Sequence, residues 1–400
     1  MDAQELIDCL SYFRESVTAR RAEAELVGFD GPVVGTCCNF VPEELVWAVG
    51  GRTIRLCGGS ADWEAEGEKV MPRDVCPVAK SMAALPKMDP RLWGRLDLLV
   101  IPGSCDAKMK LADILRRHKA IHVMDVPAVK DSEPARRYWQ AEVERLAARI
   151  EQLVGRKTTR HALGEAVRLS MRRESLLRAL LDLRHGNDGR GALLTGEQFQ
   201  FVAGASFADE PSRYTDRLAK LVAALLEAQR AGYHAVGPGA PRVMLCGAPL
   251  IYPNFKLLNV IREAGAVVVA DDSCAGTQRF YQHLAPRDWS RRELLKALAD
   301  RALLASMCPC FASSDDRMSR IREMARISRA DGIVYHQLRT CVLFAAESEI
   351  LRHELAPAGL PLLVVDTDYS AGDTEQLRTR IAAFLEILAT AKPFAASTHG

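Results

Sequence analysis

The amino-acid sequence predicts an α/β fold in which two parallel-sheet units face a cleft and are joined by a helical insert. Short apolar segments alternate with amphipathic ones in residues 31–131, and the same alternation returns in residues 241–400. Between them, residues 132–240 show helical periodicity and few strand signals. Strands that alternate with helices through short connections are typical of parallel sheets.

The N-terminal segment, residues 1–30, is predicted to form a helix. The apolar side chains of Leu6, Leu10 and Phe13 recur at three- to four-residue spacing, which places them on one helical face. A strand-like segment follows directly.

The first unit, residues 31–131, contains four predicted strands, most of which end in a loop of glycine or polar residues. Their segments are GPVVGTCCNF, TIRLCGG, LDLLVIPGSCD and AIHVMDVP. A helix is expected in PEELVWAVG, because Pro42 suits a first helical turn and Gly50 suits a helix end. Another helix is expected in KMKLADILRRH, behind the third strand.

The helical insert, residues 132–240, is rich in Leu, Ala and Arg, and only FQFVAGASF gives a doubtful strand signal. The second unit, residues 241–400, again has four predicted strands, in RVMLCGAPL, AVVVADDSCAG, GIVYHQLRTC and PLLVVDTDYSAGD. Helices are predicted in NFKLLNVIREAG and, as the C-terminal helix, in TEQLRTRIAAFLEILAT. The two units therefore share one plan.

Charge and hydrophobicity exclude several classes of protein. The 400 residues include 53 Lys and Arg against 51 Asp and Glu, so the formal net charge is +2. That balance gives no electrostatic reason to bind nucleic acid or an anionic membrane. No apolar run approaches the ~20 residues of a membrane helix, and the N-terminus lacks the features of a secretory signal. We therefore expect a cytoplasmic protein.

The cysteines are the residues from which we predict chemistry. Eleven are present, an odd number, and a reducing cytoplasm disfavours a disulfide framework. Five follow predicted strands, where ligands bind in open parallel sheets. These five are Cys37, Cys38, Cys105, Cys274 and Cys341. In addition, Cys76 lies in the loop RDVCPVAKS, and Cys308 and Cys310 form a Cys-Pro-Cys motif.

Thiolates that gather in one cleft need a compensating charge. They repel one another, and a low dielectric strengthens the repulsion. A soft metal or an iron–sulfur cluster removes the problem by taking up the charge. Spacing alone favours such a cluster only weakly, because the ligands would be scattered along the chain.

Packing is the alternative role for individual thiols. It is predicted for Cys9 in the first helix and for Cys57 and Cys246 inside apolar strands. Cys274 fits either role. Because adjacent strand residues point in opposite directions, one of the two neighbouring cysteines that follow the first strand is expected to face the cleft.

Other catalytic and binding motifs are missing from the sequence. There is no GxGxxG fingerprint and no GxxxxGK[ST] phosphate loop, so ATP binding of that kind is not expected. The nine histidines show no HExxH spacing, which gives zinc hydrolysis little support. No GxSxG elbow is present.

Several segments together resemble the 2-hydroxyacyl-CoA dehydratase and benzoyl-CoA reductase family, of the D-component type. The resemblance extends from about Gly31 to about Leu388. The segments that carry it are GTCCNFVPEELVWAVG, CPVAKS, GSCDAKMK, HVMDVP, RVMLCGAPL, NFKLLNVIREAGAVVVADDSCAG, DGIVYHQLRTC and PLLVVDTDYSAGDTEQLRTRIAAFLE. These motifs are specific in combination, although each alone is not.

The resemblance implies two Rossmann-like units and a [4Fe–4S] cluster held by Cys76, Cys105 and Cys341. It also implies a partner, an ATP-dependent iron–sulfur activator protein that supplies a low-potential electron. In the dehydratases of this family, that electron reaches the thioester carbonyl of a 2-hydroxyacyl-CoA. The resulting ketyl radical makes loss of the hydroxyl group feasible.

Further cysteines make the sequence most similar to the double-cubane cluster protein branch of this family. Cys38 in GTCC and Cys308 and Cys310 in CPC would complete a set of six thiolates. That branch implies homodimeric reductases with an [8Fe–9S] cluster of two sulfide-bridged cubanes. The choice between Cys37 and Cys38 and between Cys308 and Cys310 stays open, and Cys274 is an alternative ligand.

Three functions follow from these residues. The first is a double-cubane reductase that acts on a small unsaturated or nitrogenous molecule. The second is the [4Fe–4S] subunit of a 2-hydroxyacyl-CoA dehydratase, a lyase that needs basic side chains for the phosphates of coenzyme A, with Arg339, Arg279 and Lys80 as candidates. The third is a non-catalytic electron-relay partner that carries the cluster. A homodimer is expected because one chain supplies all six thiolates, and a heterodimer is the alternative.

Overall fold

The N-terminal part of the chain alternates helices and strands as the sequence predicts. The computed structural model describes residues 3–185, 191–280, 284–357 and 359–390. The elements up to residue 124 are α1 (Ala3–Thr18), α2 (Arg21–Val27), β1 (Val33–Thr36), α3 (Glu44–Trp47), β2 (Arg52–Arg55), α4 (Ala61–Gly67), α5 (Pro77–Ala83), α6 (Leu85–Met88), α7 (Pro90–Arg95), β3 (Leu98–Pro102), α8 (Asp106–Leu115) and β4 (Ile121–Met124).

The predicted single N-terminal helix is wrong in one respect, because the segment forms two helices. The chain breaks at Arg20, whose φ of 49° lies in the left-handed region that regular helices avoid. Phe13 on α1 and Leu26 on α2 are both fully buried. Both helices therefore contribute to the core on either side of the break.

The first sheet is entirely parallel, with the strand order β2-β1-β3-β4. Every residue of β3 is buried, as expected for a central strand that is covered on both faces. The chain adds β2 on one side of β1 and then continues on the other side, so the order reverses between β1 and β3. In such sheets a ligand crevice forms at this reversal, outside the carboxyl ends of the strands.

The region predicted as the insert is helical. It contains α9 (Glu133–Val154), α10 (Arg160–His185), α11 (Gly196–Ala205) and α12 (Pro211–Arg230). The doubtful strand in FQFVAGASF is wrong, because that segment lies largely in α11, which begins at a capping box formed by Thr195 and Gln198. Within the described ranges, none of the helices combines the length and the apolar character that a membrane crossing requires.

The second unit repeats the topology of the first. Its elements are β5 (Arg242–Gly247), α13 (Lys256–Glu263), β6 (Val267–Asp271), a short 3₁₀ helix (Thr277–Phe280), α14 (Arg291–Leu304), α15 (Asp315–Ile327), β7 (Gly332–Leu338), α16 (Val342–Leu355), β8 (Leu362–Thr367) and α17 (Thr374–Thr390). The sheet is parallel, with the order β6-β5-β7-β8. The strand order of this sheet therefore reverses between β5 and β7. The two parallel sheets confirm the predicted α/β class with two parallel-sheet units.

A buried ionic network joins the first unit, the insert and the second unit. Arg301 on α14 donates hydrogen bonds of 2.8 Å to Glu44 on α3 and 2.8 Å to Glu174 on α10. Ser170 on α10 also donates to Glu44. Burial alone would raise the pKa of Glu44, but Arg301 outweighs it and lowers the pKa to about 2. Loss of one partner from such a network leaves buried charges without compensation.

Replacing Arg301 by Met is expected to lower the free energy of unfolding at pH 7 by about 3–5 kcal/mol, because Glu44 and Glu174 stay buried without their cation. Urea unfolding followed by circular dichroism measures the change. Since the pKa of Glu44 lies below its ordinary value of 4.5, its contribution is present above pH 4.5 and is lost as the pH falls towards 2. The difference in the free energy of unfolding between the wild type and the Arg301→Met variant should therefore become smaller as the pH falls.

The matched control for this substitution is Arg136→Met. Arg136 forms an ion pair of 3.0 Å with Asp300, the residue that precedes Arg301 in the chain. The side chain of Arg136 is 37% exposed and that of Asp300 is 30% exposed. Loss of a pair this accessible costs less than about 1 kcal/mol. Equal destabilisation by the two substitutions would contradict the role assigned to the buried network.

Candidate functional site

The carboxyl ends of the strands carry most of the cysteines that the sequence singles out. Cys38 follows β1 and Cys105 follows β3, so they flank the reversal of strand order in the first sheet. Cys341 follows β7, which borders the corresponding reversal in the second sheet. Both sheets thus present thiols at the position where open parallel sheets bind ligands.

Three thiols lie at the beginnings of helices. Cys76, Cys105 and Cys341 immediately precede α5, α8 and α16. Backbone amides of the first turns point at the sulfurs: that of Lys108 donates to Cys105, and that of Phe344 donates to Cys341. Such amides, together with the positive end of the helix dipole, stabilise a thiolate.

Cys76 and Cys341 bring the two halves of the chain into direct contact. The Cys76 thiol donates a hydrogen bond to the sulfur of Cys341. This hydrogen bond, followed by burial, raises the pKa of Cys76 well above its usual value, and the same bond lowers the pKa of Cys341 to about 7. Both residues pack against a small apolar cluster that includes Tyr369 and Leu338.

Cys308 and Cys310 form a second pair of thiols. A hydrogen bond from Cys308 to Cys310, followed by burial, raises the pKa of Cys308 well above its usual value. Cys38 acts electrostatically on Cys308, and Cys105 interacts with both Cys308 and Cys341. The structure therefore brings all six predicted ligand thiols into one connected group.

Lys108 is the cation that these thiols share. It lies in the first turn of α8, and its ammonium group donates hydrogen bonds to Cys38 and, at 3.0 Å, to Oγ of Ser104. Burial would lower the pKa of Lys108, but Cys38, Cys105 and Cys308 outweigh it and raise the pKa. Burial would in turn raise the pKa of Cys38, but Lys108 and Arg55 outweigh it and lower the pKa.

Arg55 is a second cation in the cleft. Its side chain stacks on Phe207, 4.5 Å from the ring centroid, and Nη1 donates a hydrogen bond of 2.9 Å to the carbonyl oxygen of Cys274. Burial would lower the pKa of Arg55, but Cys57 and then Cys274 and Cys38 raise it. The prediction that Cys57 packs inside a strand is wrong, because β2 ends at Arg55 and Cys57 lies beside this guanidinium.

Three other thiols pack in apolar surroundings. Cys37 is 5% exposed in the core of the first unit, where burial raises its pKa. Cys246 is 1% exposed on β5, and burial raises its pKa as well. Cys9 on α1 is partly buried against the largest apolar cluster. No disulfide joins any two of the eleven cysteines, all of which belong to the described residues.

The donor set of the six predicted ligands is all sulfur, which is the ligand chemistry of iron–sulfur clusters. Within the described residues, no group of three or more Cys, His, Asp or Glu side chains could hold one metal ion. A zinc site needs its ligands around one centre, whereas the thiolates of an iron–sulfur cluster bind different irons. An all-sulfur set with buried cations and helix amides nearby fits the second case. The thiols that could hold such a cluster are Cys38, Cys76, Cys105, Cys308, Cys310 and Cys341.

Two functional residues, Lys108 and Arg55, were not found from the sequence. Lys108 lies three residues after Cys105, so a lysine in the first turn after a candidate ligand was the available signal. Arg55 lies two residues before Cys57, at the end of a predicted strand. Neither position is distinctive without knowledge of which thiols surround it.

Comparisons with known proteins agree with the motifs. A profile of the family described as 2-hydroxyglutaryl-CoA dehydratase, D-component, matches residues 38–388. The chain is 32% identical over 361 residues to the putative dehydratase subunit YjiM of Escherichia coli (strain K12), covering 89% of this chain and 91% of that protein.

More distant relatives are similar over the same length. The (R)-phenyllactyl-CoA dehydratase beta subunit of Clostridium sporogenes is 20% identical, with 89% and 91% of the two chains covered. One of the subunits of benzoyl-CoA reductase from Thauera aromatica is 19% identical, with 87% and 88% covered. These relatives are named as subunits of dehydratases and of a reductase, which supports an enzymatic role that involves partner proteins. The chain belongs to the 2-hydroxyglutaryl-CoA dehydratase D-component family, as its motifs predict.

Proposed function

We propose that the protein is an iron–sulfur reductase that holds a double-cubane cluster and reduces a small molecule. Its electrons come from a separate ATP-dependent iron–sulfur activator protein. When bound, the cluster supplies low-potential electrons, with a potential that depends on nearby charge, hydrogen bonds and solvent exposure. One cubane would be held by Cys76, Cys105 and Cys341, and the other by Cys38, Cys308 and Cys310.

The observation that carries this proposal is that a buried cation, Lys108, interacts with thiols from both halves of the chain. Lys108 interacts with Cys38 and Cys105 from the first unit and with Cys308 and Cys274 from the second. A lysine among several buried thiols compensates for negative charge that would otherwise be unfavourable there. An iron–sulfur cluster with thiolate ligands is a source of such charge.

The grouping of the thiols supports two cubanes rather than one. The hydrogen-bonded pairs Cys76–Cys341 and Cys308–Cys310 lie in different loops, and Cys105 interacts with a member of each. A lone cubane stores roughly one transferable electron, whereas two coupled cubanes can store two. Storage of an electron pair suits the reduction of a small molecule.

The chain's own cations favour the reduced state of the cluster. Reduction adds negative charge, which Lys108 and Arg55 stabilise from within the cleft. The amides at the beginnings of α8 and α16 act in the same direction. Because one chain supplies both groups of thiols, we propose a homodimer in which each protomer holds its own cluster.

A 2-hydroxyacyl-CoA dehydratase subunit is the second candidate, favoured by the similarity to the (R)-phenyllactyl-CoA dehydratase beta subunit. Two of the basic residues expected to bind coenzyme A are already paired: Lys80 contacts Glu64 at 2.8 Å, and Arg339 forms an ion pair with Asp368. The side chain of Arg279 lies outside the described residues. Turnover of a 2-hydroxyacyl-CoA with activator and reductant would favour this candidate. A cluster without turnover of any substrate would favour the electron-relay function.

Metal analysis of anaerobically purified protein tests the cluster. A double cubane predicts about eight irons per chain with a similar amount of sulfide, because each cubane contains four irons. About four irons would remove the double-cubane proposal and leave a single [4Fe–4S] cluster. Absence of iron after anaerobic purification and reconstitution would remove both.

Substitution of single cysteines tests the ligand assignment. Changing Cys76, Cys105 or Cys341 to Ala is expected to lower the iron content and the visible absorption, because each removes one thiolate bond to iron. Changing Cys308 or Cys310 to Ala should also lower the iron content, because each of these residues would bind an iron of the second cubane. Iron and sulfide assays on each purified variant measure the effect.

The control for the cysteine series is Cys246→Ala. Cys246 is buried inside β5, away from the candidate ligands, in an apolar core that includes Met244 and Tyr335. Its replacement should leave iron unchanged and destabilise the fold by about 1–2 kcal/mol. Full iron occupancy in the Cys76, Cys105 and Cys341 variants would contradict the assignment.

Replacing Lys108 by Met is expected to shift the reduction potential of the cluster to more negative values, on the order of tens of millivolts. Loss of the cation removes a charge that stabilises the reduced state. A redox titration followed by electron paramagnetic resonance measures the shift. Lys110→Met is the control, because Lys110 lies on the same helix with its side chain 78% exposed. Equal reduction potentials in the Lys108 and Lys110 variants would argue against stabilisation of the reduced cluster by Lys108.

A further inference from the structure

A cavity of about 410 Å³ lies between the N-terminal helices, the insert and both α/β units, and Cys57 and Arg55 belong to its wall. One part of the wall is formed by Cys57 and by Ala275, which follows Cys274 in the chain. Ser16 and Trp63 belong to other parts of the wall. The volume falls within the usual range of small-molecule sites. A coenzyme A thioester, with its nucleotide, phosphates and pantetheine arm, is far larger than this cavity.

Apolar and aromatic side chains form most of the cavity wall. Trp63, Phe207, Tyr252 and Phe255 contribute rings, and Leu250 contributes an aliphatic side chain. Tyr252 and Phe255 pack edge to face, with ring centroids 5.8 Å apart. Walls of this kind favour a ligand with a planar or otherwise apolar body.

Arg55 is the buried charged group in this apolar wall. The residue is 9% exposed and lines the cavity. Its Nη1 donates to the Cys274 carbonyl, so the guanidinium is held in place beside the thiols. A guanidinium in the wall of an otherwise apolar cavity is suited to bind a carboxylate.

Charged groups elsewhere in the cavity wall are already paired. Arg20 forms an ion pair with Glu23 and another with Asp89, the latter at 2.7 Å. Its side chain is 45% exposed, so it marks the solvent side of the cavity. An anion that enters past Arg20 therefore meets the guanidinium of Arg55 in the more buried part of the wall.

We propose that this cavity is the substrate site of the reductase and that it takes a small carboxylic acid with an apolar body, whose carboxylate is bound by Arg55. The inference rests on the proposed function, for which it names the substrate class. Because Arg55 lines the cavity and interacts with Cys38, one of the proposed ligands, we expect a bound acid to lie on the side of the cavity that is nearer the cluster. Free acids of this size, rather than coenzyme A thioesters, are the ligands that the cavity accommodates.

Anaerobic isothermal titration calorimetry of the iron-loaded protein tests the site with phenylacetate and its neutral analogue phenylacetamide. The wild type should bind phenylacetate at least about tenfold more tightly than phenylacetamide, since a charge-assisted hydrogen bond to a buried group contributes more binding free energy than a neutral one. In Arg55→Gln this preference should disappear. Phenylacetyl-CoA should bind at least about tenfold more weakly than phenylacetate.

A second variant blocks the cavity without touching the thiols. Gly204 on α11 lines the cavity, and a Cβ there would meet only Val17, at an ordinary distance of 3.5 Å. Gly204→Leu should weaken binding of both phenylacetate and phenylacetamide at least about tenfold, because the longer side chain fills the space. Gly204→Ala adds one methyl group and should weaken binding by less than about threefold.

Iron is assayed in every sample, so that the two proposals can fail separately. Iron at the wild-type level with no preference for phenylacetate, or with unchanged binding in Gly204→Leu, would overturn the carboxylate site and leave the reductase proposal standing. The expected binding pattern in protein that cannot be loaded with iron would support the carboxylate site and overturn the proposed cluster. Tighter binding of phenylacetyl-CoA than of phenylacetate would overturn the free-acid substrate class.

Discussion

Charge compensation in the cleft is the constraint on which the candidate site depends. Thiols from distant parts of the chain meet at the carboxyl ends of two sheets, and their thiolate forms would repel one another in a low dielectric. Lys108 and Arg55 supply positive charge from within the group. The helix beginnings at Cys105 and Cys341 add oriented amides. The same features that make thiolates tolerable there would stabilise the negative charge of an iron–sulfur cluster.

The duplicated topology explains how so many thiols reach one place. Both sheets have the strand order second, first, third, fourth, so each has one reversal beside its first and third strands. Loops that leave those strands end on the same side of the sheet and point into a crevice. Cys38 and Cys105 occupy this position in the first unit, and Cys341 occupies it in the second. Pairs such as Cys76–Cys341 then form only when the two units face each other.

Several elements were predictable because local pattern decides them. Apolar runs bounded by glycine or polar loops predicted all eight strands, since burial of a parallel strand on both faces requires such a run. The errors have equally local causes. The break at Arg20 depends on a left-handed residue that no Gly or Asn marks, and FQFVAGASF is helical because the capping box at Thr195 and tertiary burial outweigh its strand-like composition. Cys57 was misplaced because β2 ends two residues earlier than its composition suggests.

The sequence by itself determined the fold class, the family and the set of candidate ligand thiols, because hydrophobic period and motif residues are local properties of the chain. Only the tertiary structure decided that Cys38 contacts Lys108 while Cys37 packs in the core. It also decided that Arg55 lies between the thiols and an apolar cavity. These relations join residues far apart in the chain, and their electrostatics depend on distance and burial, which sequence spacing does not encode.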